Sequence, residues 1–257
     1  MDFVLSPHLL AILFSAAALA GFVDAIAGGG GLITVPVLLL AQVSPLQALA
    51  TNKLQGCFGS MTSSLMMIRK GLVRLPDMRR LFAGSLAGAA LGAFAVQFVR
   101  TQTLDAVIPI VLIGIALYFL FAPNAGAVEC KPRVSGGTYQ RVVAPGIGFY
   151  DGVFGPGTGS FFSLAGVALR GQNLITATAQ AKVLNFASNI GSLLMFIIGG
   201  KVVWAAGAVM IAGQICGSWC GAHAVVRGGT RLIRPMIVTV CVIMLGRYLW
   251  QKGLLPF

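Results

Sequence analysis

Charged residues are scarce in this chain. They make up 9% of its 257 residues, whereas soluble domains carry roughly 25%. With 57% hydrophobic residues and a mean hydropathy of +0.90, a soluble protein could not cover its surface with polar groups. The composition therefore excludes a soluble domain, a disordered chain and a disulfide scaffold. It predicts an all-α polytopic membrane protein that lies in a lipid bilayer.

Acidic residues are especially few. The chain has 6 Asp and Glu against 18 Lys and Arg, which gives a net charge of +12. The cations cluster in short loops between apolar runs, and this pattern indicates membrane topology and not a nucleic-acid surface. Histidine occurs only 2 times and cysteine 5 times, without metal-ligand spacing. No nucleic acid, metal or cofactor is predicted as a partner, and the sequence leaves a homodimer open.

A ten-residue stretch of the sequence occurs twice. The first copy is residues 21–30 and the second is residues 148–157, and five of the ten positions are identical. After a two-residue insertion, Lys53 aligns with Lys182. Interrupted hydrophobic segments at matching positions are typical of secondary transporters. We therefore predict a first membrane repeat over residues 1–125, a polar linker over 126–139 and a second membrane repeat over 140–257.

Each predicted repeat contains a broken-helix hairpin followed by three longer apolar segments. This arrangement gives about eight full spans or ten helical segments. The predicted segments of the first repeat are 9–26, 32–42, 46–68, 81–99 and 104–121. Those of the second repeat are 141–154, 161–169, 174–198, 202–225 and 233–250.

The positive charge of the loops distinguishes parallel from inverted repeats. In the first repeat the basic loop is 69–80, whereas in the second it is 227–234, which is the next loop along. Because basic loops stay inside, the second repeat is predicted to be inverted relative to the first. This prediction places both termini outside, with the two basic loops, the linker and Arg170 inside.

The glycine clusters at 28–31 and 155–159 are predicted to break a helix at bilayer depth. A break of this kind is tolerated where it lines a cavity, and it leaves free N–H groups at the start of the next half-helix. We predict that Gly30 and Gly157 cannot be replaced by a β-branched residue, because only glycine tolerates a positive φ and close approach. The alternative is simple close packing of helices. The N–H groups predicted to face an anion belong to Gly30, Gly31, Thr158 and Gly159.

Lys53 and Lys182 lie inside predicted spans. A charge at the centre of a transmembrane helix costs about 2.5–3.5 kcal/mol, so such a residue usually faces a polar cavity. Each lysine begins a polar stripe at helical spacing. The alternative is snorkelling of the lysine to the nearer interface. The further substrate-binding residues predicted with the lysines are Thr51, Asn52, Gln180, Asn185 and Asn189.

Asp24 and Asp151 are carboxylates inside apolar runs, and they occupy equivalent positions in the two copies. Burial could let such a carboxylate carry a coupling proton. It could equally pair with a lysine or support the broken end of the helix. The sequence leaves coupling and helix-break support open.

These motifs resemble a known family. The Gly-x-x-Asp-x-x-x-Gly-x-Gly-Gly pattern from Gly21, then Pro36 and the Ala-Thr-Asn-Lys run that ends at Lys53, resemble the opening motif of the TauE/SafE family of sulfite and organosulfur anion exporters. The resemblance implies a multi-pass transporter of small sulfur-containing or carboxylate anions in the bacterial inner membrane. Gln180 and Pro156 depart from the pattern of many relatives, which leaves the identity of the anion open.

An anion channel and an intramembrane enzyme are the alternatives to a secondary transporter. An anion channel would use the same kinds of residue. An intramembrane enzyme would use Asp24 and Asp151 as an acid–base pair, but the Gly-x-Gly-Asp motif of aspartyl intramembrane proteases does not occur. No Gly-Lys-Ser/Thr follows either glycine cluster, so ATP hydrolysis has no support. The sequence therefore predicts a transporter and not an enzyme.

Overall fold

The computed structural model describes residues 6–98 and 128–251, which form helices and loops without a strand. Helix α5 combines Gly136–Thr138, a π-helical turn at Tyr139–Val143 and Ala144–Val153. The other helices are α1 Pro7–Ala27, α2 Gly31–Leu40, α3 Pro45–Arg69, α4 Leu75–Val96, α6 Thr158–Arg170, α7 Leu174–Ile198 and α8 Trp204–Gln251.

The helix bounds agree with most of the predicted segments, and two helices begin earlier than predicted. Helix α4 begins at Leu75, six residues before the predicted start, because Pro76 and Asp77 suit a first helical turn. Helix α5 begins at Gly136, inside the predicted linker, where the Ser135 hydroxyl accepts from the Thr138 N–H at 3.1 Å. The segments 202–225 and 233–250 correspond to the two parts of α8, which are separated by a kink at Gly229, where the backbone is not helical. The predicted segment 104–121 lies outside the described residues.

Three helices of the described ranges are long and apolar enough to cross a membrane: Pro7–Ala27, Leu174–Ile198 and Trp204–Gly229. Helix α3 has 25 residues, or about 37 Å, but the polar stripe that contains Lys53 makes it less apolar. Helices α2 and α6 have 10 and 13 residues and are too short to span alone. The predicted number of spans therefore stays a prediction.

Helices α3 and α7 lie at the centre and pack against each other. Around them, α1 packs along α8, and α4 packs along α5. In both of these helix pairs, α1 with α8 and α4 with α5, glycines spaced by four residues let the backbones approach closely. Gly213, Gly217 and Gly221 of α8 lie against the backbone of α1, and Gly88 and Gly92 of α4 lie against that of α5. Small residues of this kind let membrane helices approach at backbone distance.

Two glycines of α5 allow a direct test of this packing. A methyl group on Gly148 would overlap the Ser85 carbonyl oxygen of α4, whereas one on Gly146 would meet nothing within 4 Å. We expect Gly148→Ala to destabilise the protein by about 1–3 kcal/mol through overpacking. Gly146→Ala, two residues away on the same helix, should be neutral or stabilising by up to about 1 kcal/mol. Melting temperatures in detergent measure both effects, and equal melting temperatures for the two variants would contradict the packing.

Candidate functional site

The two glycine breaks are in contact with each other. Gly28 ends α1 with φ 77°, and Gly157 precedes α6 with φ 83°, a region that glycine favours. A Cβ on Gly28 would lie 2.6 Å from the carbonyl carbon of Gly159. The Ser160 hydroxyl donates a hydrogen bond to the Ala27 carbonyl oxygen at the same crossing. The ends of the two hairpins therefore meet at backbone distance.

Gly30 is constrained differently from Gly157. Its φ of −57° is helical, so the predicted positive φ is wrong for Gly30, although the predicted close approach is present. Space is what requires glycine here, since a Cβ would lie 2.9 Å from both the Ala20 carbonyl oxygen and the Asp24 Cβ. The Gly30 N–H donates to Asp24 Oδ1 at 3.3 Å. Asp24 thus supports the start of α2, where a negative charge interacts favourably with the helix dipole.

Asp151 also lies near the start of α6, but its partners differ from those of Asp24. The Thr158 hydroxyl is 2.6 Å from Asp151 Oδ1 and 2.8 Å from the Gly155 carbonyl oxygen. The Lys53 ammonium lies 2.7 Å from the same Asp151 Oδ1, and both side chains are almost fully buried, at 1% and 2% exposed. Removing one member of a buried ion pair leaves a costly unpaired charge. This pair joins α3 to α5, and so joins the two predicted repeats.

Lys182 is fully buried and has a different partner from Lys53. Its ammonium donates to the backbone carbonyl oxygen of Asp24, not to the Asp24 carboxylate. It also lies close to Gly159, where a Cβ would be 3.3 Å from Lys182 Nζ. Each lysine therefore reaches the aspartate of the other predicted repeat, but only Lys53 forms an ion pair.

A small cavity lies beside the Lys53–Asp151 pair. Its volume is about 20 Å³ for the centres of water-sized spheres, which is room for about one water. Eight of the predicted site residues line this central cavity: Asp24, Gly30, Gly31, Asn52, Lys53, Asp151, Asn185 and Asn189.

The structure adds two glutamines that the sequence reasoning missed. Gln55 and Gln214 line the central cavity and are only 1% and 2% exposed. The Gln55 amide nitrogen donates to Asn52 Oδ1 at 2.8 Å, and the Thr34 hydroxyl donates to the same oxygen at 2.6 Å. These two bonds fix the Asn52 amide so that its nitrogen points toward Gly31. Gln214 could have been identified from the sequence, because it places a polar amide inside an apolar segment.

The other predicted site residues do not line the central cavity. The Thr51 hydroxyl accepts from the Val203 N–H at 3.1 Å, in the loop between α7 and α8. Gln180 accepts from the Gln172 amide at 2.9 Å and lines a second, larger cavity. Thr158, Gly159 and Lys182 lie behind the central cavity, at the crossing of the two breaks.

The second cavity, which we call the basic vestibule, has a volume of about 690 Å³. Arg170 is held there by a hydrogen bond to the Val134 carbonyl oxygen at 2.9 Å, with its guanidinium 6.0 Å from the Tyr139 ring centre. The vestibule brings the 69–80 loop, the predicted linker and Arg170 together around one cavity. Its lining residues are Pro76, Asp77, Met78, Arg79, Arg80, Leu81, Gly136, Tyr139, Gln140, Arg170, Gln172 and Gln180.

Comparison with known proteins finds similarity along almost the whole chain. The family model described as "Sulfite exporter TauE/SafE" matches residues 13–248. The "Probable membrane transporter protein YfcA" of Escherichia coli (strain K12) is 48% identical over 250 residues, or 97% of this chain and 93% of that protein. The "Probable membrane transporter protein" of Haemophilus influenzae is 45% identical over 249 residues, or 97% and 98% of the two chains. No solved structure matches.

Proposed function

Because the chain belongs to the TauE/SafE family, we propose that it is a secondary transporter that moves small sulfur-containing or carboxylate anions across the bacterial inner membrane. The relatives are named as membrane transporters and not as enzymes. The observation that carries the proposal is the buried Lys53 ammonium beside the contact of two broken helices. A buried cation and two half-helix N-termini together favour an anion.

Lys53 is the proposed anion ligand. Its side chain is 1% exposed and belongs to the lining of the central cavity. A compact ammonium with three donors can bind the oxygens of a small oxyanion. The amides of Asn52, Asn185 and Asn189 add neutral donors around the same cavity. We propose that these side chains, with the start of α2, bind the anion, whereas the start of α6 lies behind the cavity.

The helix contacts support two repeats related by an approximate two-fold axis. Gly217 of α8 lies against the Ala18 carbonyl oxygen of α1, and Gly88 of α4 lies against the Pro145 carbonyl oxygen of α5. The glycines differ by 129 positions and their partners by 127, which are the two offsets of the sequence repeat. The same contact is therefore made with the repeats exchanged. The inversion of the second repeat rests on the loop charges alone.

The sizes of the two cavities favour a carrier over a channel. The central cavity has room for about one water, so an anion of four or more heavy atoms enters only after the helices move. A channel would need a continuous open path past Lys53. We propose that the basic vestibule is the inner entrance, and that its arginines attract anions toward the central cavity.

A binding screen tests the proposed function. The detergent-purified protein is heated with sulfite, sulfate, thiosulfate, sulfoacetate, taurine, methanesulfonate or acetate, each at the same ionic strength as a chloride control. A ligand that binds only the native state stabilises it, by about 2.7 kcal/mol at a concentration of 100 times its Kd, and therefore raises the melting temperature. We expect at least one sulfur oxyanion or carboxylate to raise it. If none does while the protein remains folded, the proposal is wrong.

A further inference from the structure

The two equivalent aspartates have different surroundings in the structure. The carboxylate of Asp24 accepts from the Gly30 N–H, and the nearest lysine, Lys182, bonds to the Asp24 backbone instead. The carboxylate of Asp151 holds both Lys53 and the Thr158 hydroxyl on one oxygen, Oδ1. Its other oxygen, Oδ2, is buried and has no hydrogen-bond partner among the described residues. A buried acceptor without a partner is costly and calls for a donor.

We infer that Asp151 carries one proton together with each transported anion, whereas Asp24 only supports the start of α2. This inference rests on the proposed function, because it assumes that an anion binds at Lys53. It assigns different roles to two residues that the sequence treats as equivalent. The ligand that it adds to the site is a proton on Asp151 Oδ2.

Competition for the Lys53 ammonium supplies the coupling. Without an anion, Lys53 and Asp151 neutralise each other at 2.7 Å. When an anion takes Lys53, Asp151 loses its charged partner while it stays buried, and this state is strongly unfavourable. A proton on Oδ2 removes the negative charge, and Thr158 keeps its contact with Oδ1. The site then holds Lys53 and one monoanion beside a neutral Asp151, so its net charge is unchanged.

Asp151 is the one of the charged and titratable groups in this region that loses its partner when an anion binds Lys53. Helix α3 contributes Lys53 and the buried Cys57 thiol. Asp24 of α1 shares the lining of the central cavity, and Lys182 of α7 bonds to Asp24 behind it. Helix α4, which packs along α5, has no charged residue from Leu81 to Val96. Asp151 is therefore the carboxylate that loses an ion-pair partner when Lys53 binds an anion.

Proton movement in proteoliposomes tests the inference. Methanesulfonate is the probe because it stays ionised at neutral pH, whereas sulfite itself binds a proton there. In sodium-free buffer, an inward methanesulfonate gradient should acidify the lumen of wild-type vesicles, as reported by an enclosed pH dye, with about one proton per sulfonate. Asp151→Asn should still exchange labelled for unlabelled methanesulfonate but should leave the lumen pH unchanged. Asp24→Asn, the matched control, can still accept from the Gly30 N–H through its amide oxygen and should keep the proton ratio of the wild type.

The pH dependence of binding provides a second measurement that does not require transport. If one proton binds with the anion, the wild-type affinity for methanesulfonate should rise as the pH falls, by up to about tenfold per pH unit. Asp151→Asn should show a flat profile. The anion would pair with an otherwise unpaired Lys53 in this variant, so it should also raise the melting temperature by more than in the wild type.

Each result supports or overturns the inference. Methanesulfonate transport without lumen acidification in the wild type, or acidification that persists in Asp151→Asn, overturns it and leaves the proposed function standing. The same holds if Asp24→Asn and not Asp151→Asn abolishes the proton movement. If the wild type neither binds nor transports any anion of the screen, methanesulfonate included, the proposed function is wrong and the inference with it.

Discussion

Replacing Lys53 with methionine should weaken anion binding by about 100-fold, or about 2.8 kcal/mol. The reason is that the ammonium of Lys53 is the proposed charged donor of the central cavity. The same change leaves the Asp151 carboxylate buried without its partner at 2.7 Å, which should cost about 3–5 kcal/mol of stability. Thermal-shift titration with the anion identified in the screen measures both effects.

A double variant separates binding from folding in this experiment. Lys53→Met combined with Asp151→Asn removes both charges, so it should recover most of the lost stability without recovering anion binding. Lys182→Met is the matched single variant, because Lys182 occupies the equivalent position but bonds to the Asp24 backbone and does not line the central cavity. We expect it to weaken binding by less than about tenfold. Equal losses in Lys53→Met and Lys182→Met would contradict the assignment of Lys53.

Gly28→Ala should prevent the two hairpins from meeting and should unfold or strongly destabilise the protein. The position combines φ 77° with a Cβ that would overlap the backbone of Gly159. Strain at positive φ costs about 1–2 kcal/mol, and overpacking against rigid backbone adds about 1–3 kcal/mol. Size-exclusion profiles and melting temperatures in detergent measure the loss.

Gly71→Ala is the control for the backbone conformation alone. Gly71 has φ 73°, but a Cβ there would meet nothing within 4 Å. Its cost should therefore be limited to about 1–2 kcal/mol of conformational strain. If Gly28→Ala were no more harmful than Gly71→Ala, the close contact between the two breaks could not be important for the fold.

The helices and the positions of the chemical groups could be predicted because the sequence repeats them. Residues 174–198 were predicted as one segment, and α7 spans Leu174–Ile198. The helix breaks could be predicted from the glycine clusters, because glycine favours the left-handed conformations found at Gly28 and Gly157. The glycines at 84, 88 and 92 recur 129 positions later at 213, 217 and 221. That second signal of the repeat was available in the sequence and was missed.

The partners of the site residues could not be predicted, because they depend on contacts between distant helices. Neighbours in sequence were a poor guide: Thr51 lies two residues before Lys53, and Gln180 two residues before Lys182. Two residues correspond to about 200° of rotation around a helix, so Thr51 faces away from the central cavity, and Gln180 faces away from Lys182 and lines the basic vestibule. The sequence also treats Asp24 and Asp151 alike, whereas only tertiary packing places Lys53 against one of them.

Uptake of radiolabelled methanesulfonate and sulfite into proteoliposomes tests the central claim most directly. Vesicles that contain the wild-type protein should accumulate at least one of the two anions above the level of protein-free vesicles. Vesicles with the folded Lys53→Met, Asp151→Asn double variant should show uptake at the protein-free level. Uptake by the double variant at the wild-type rate would contradict the claim that a small anion crosses the membrane bound to Lys53.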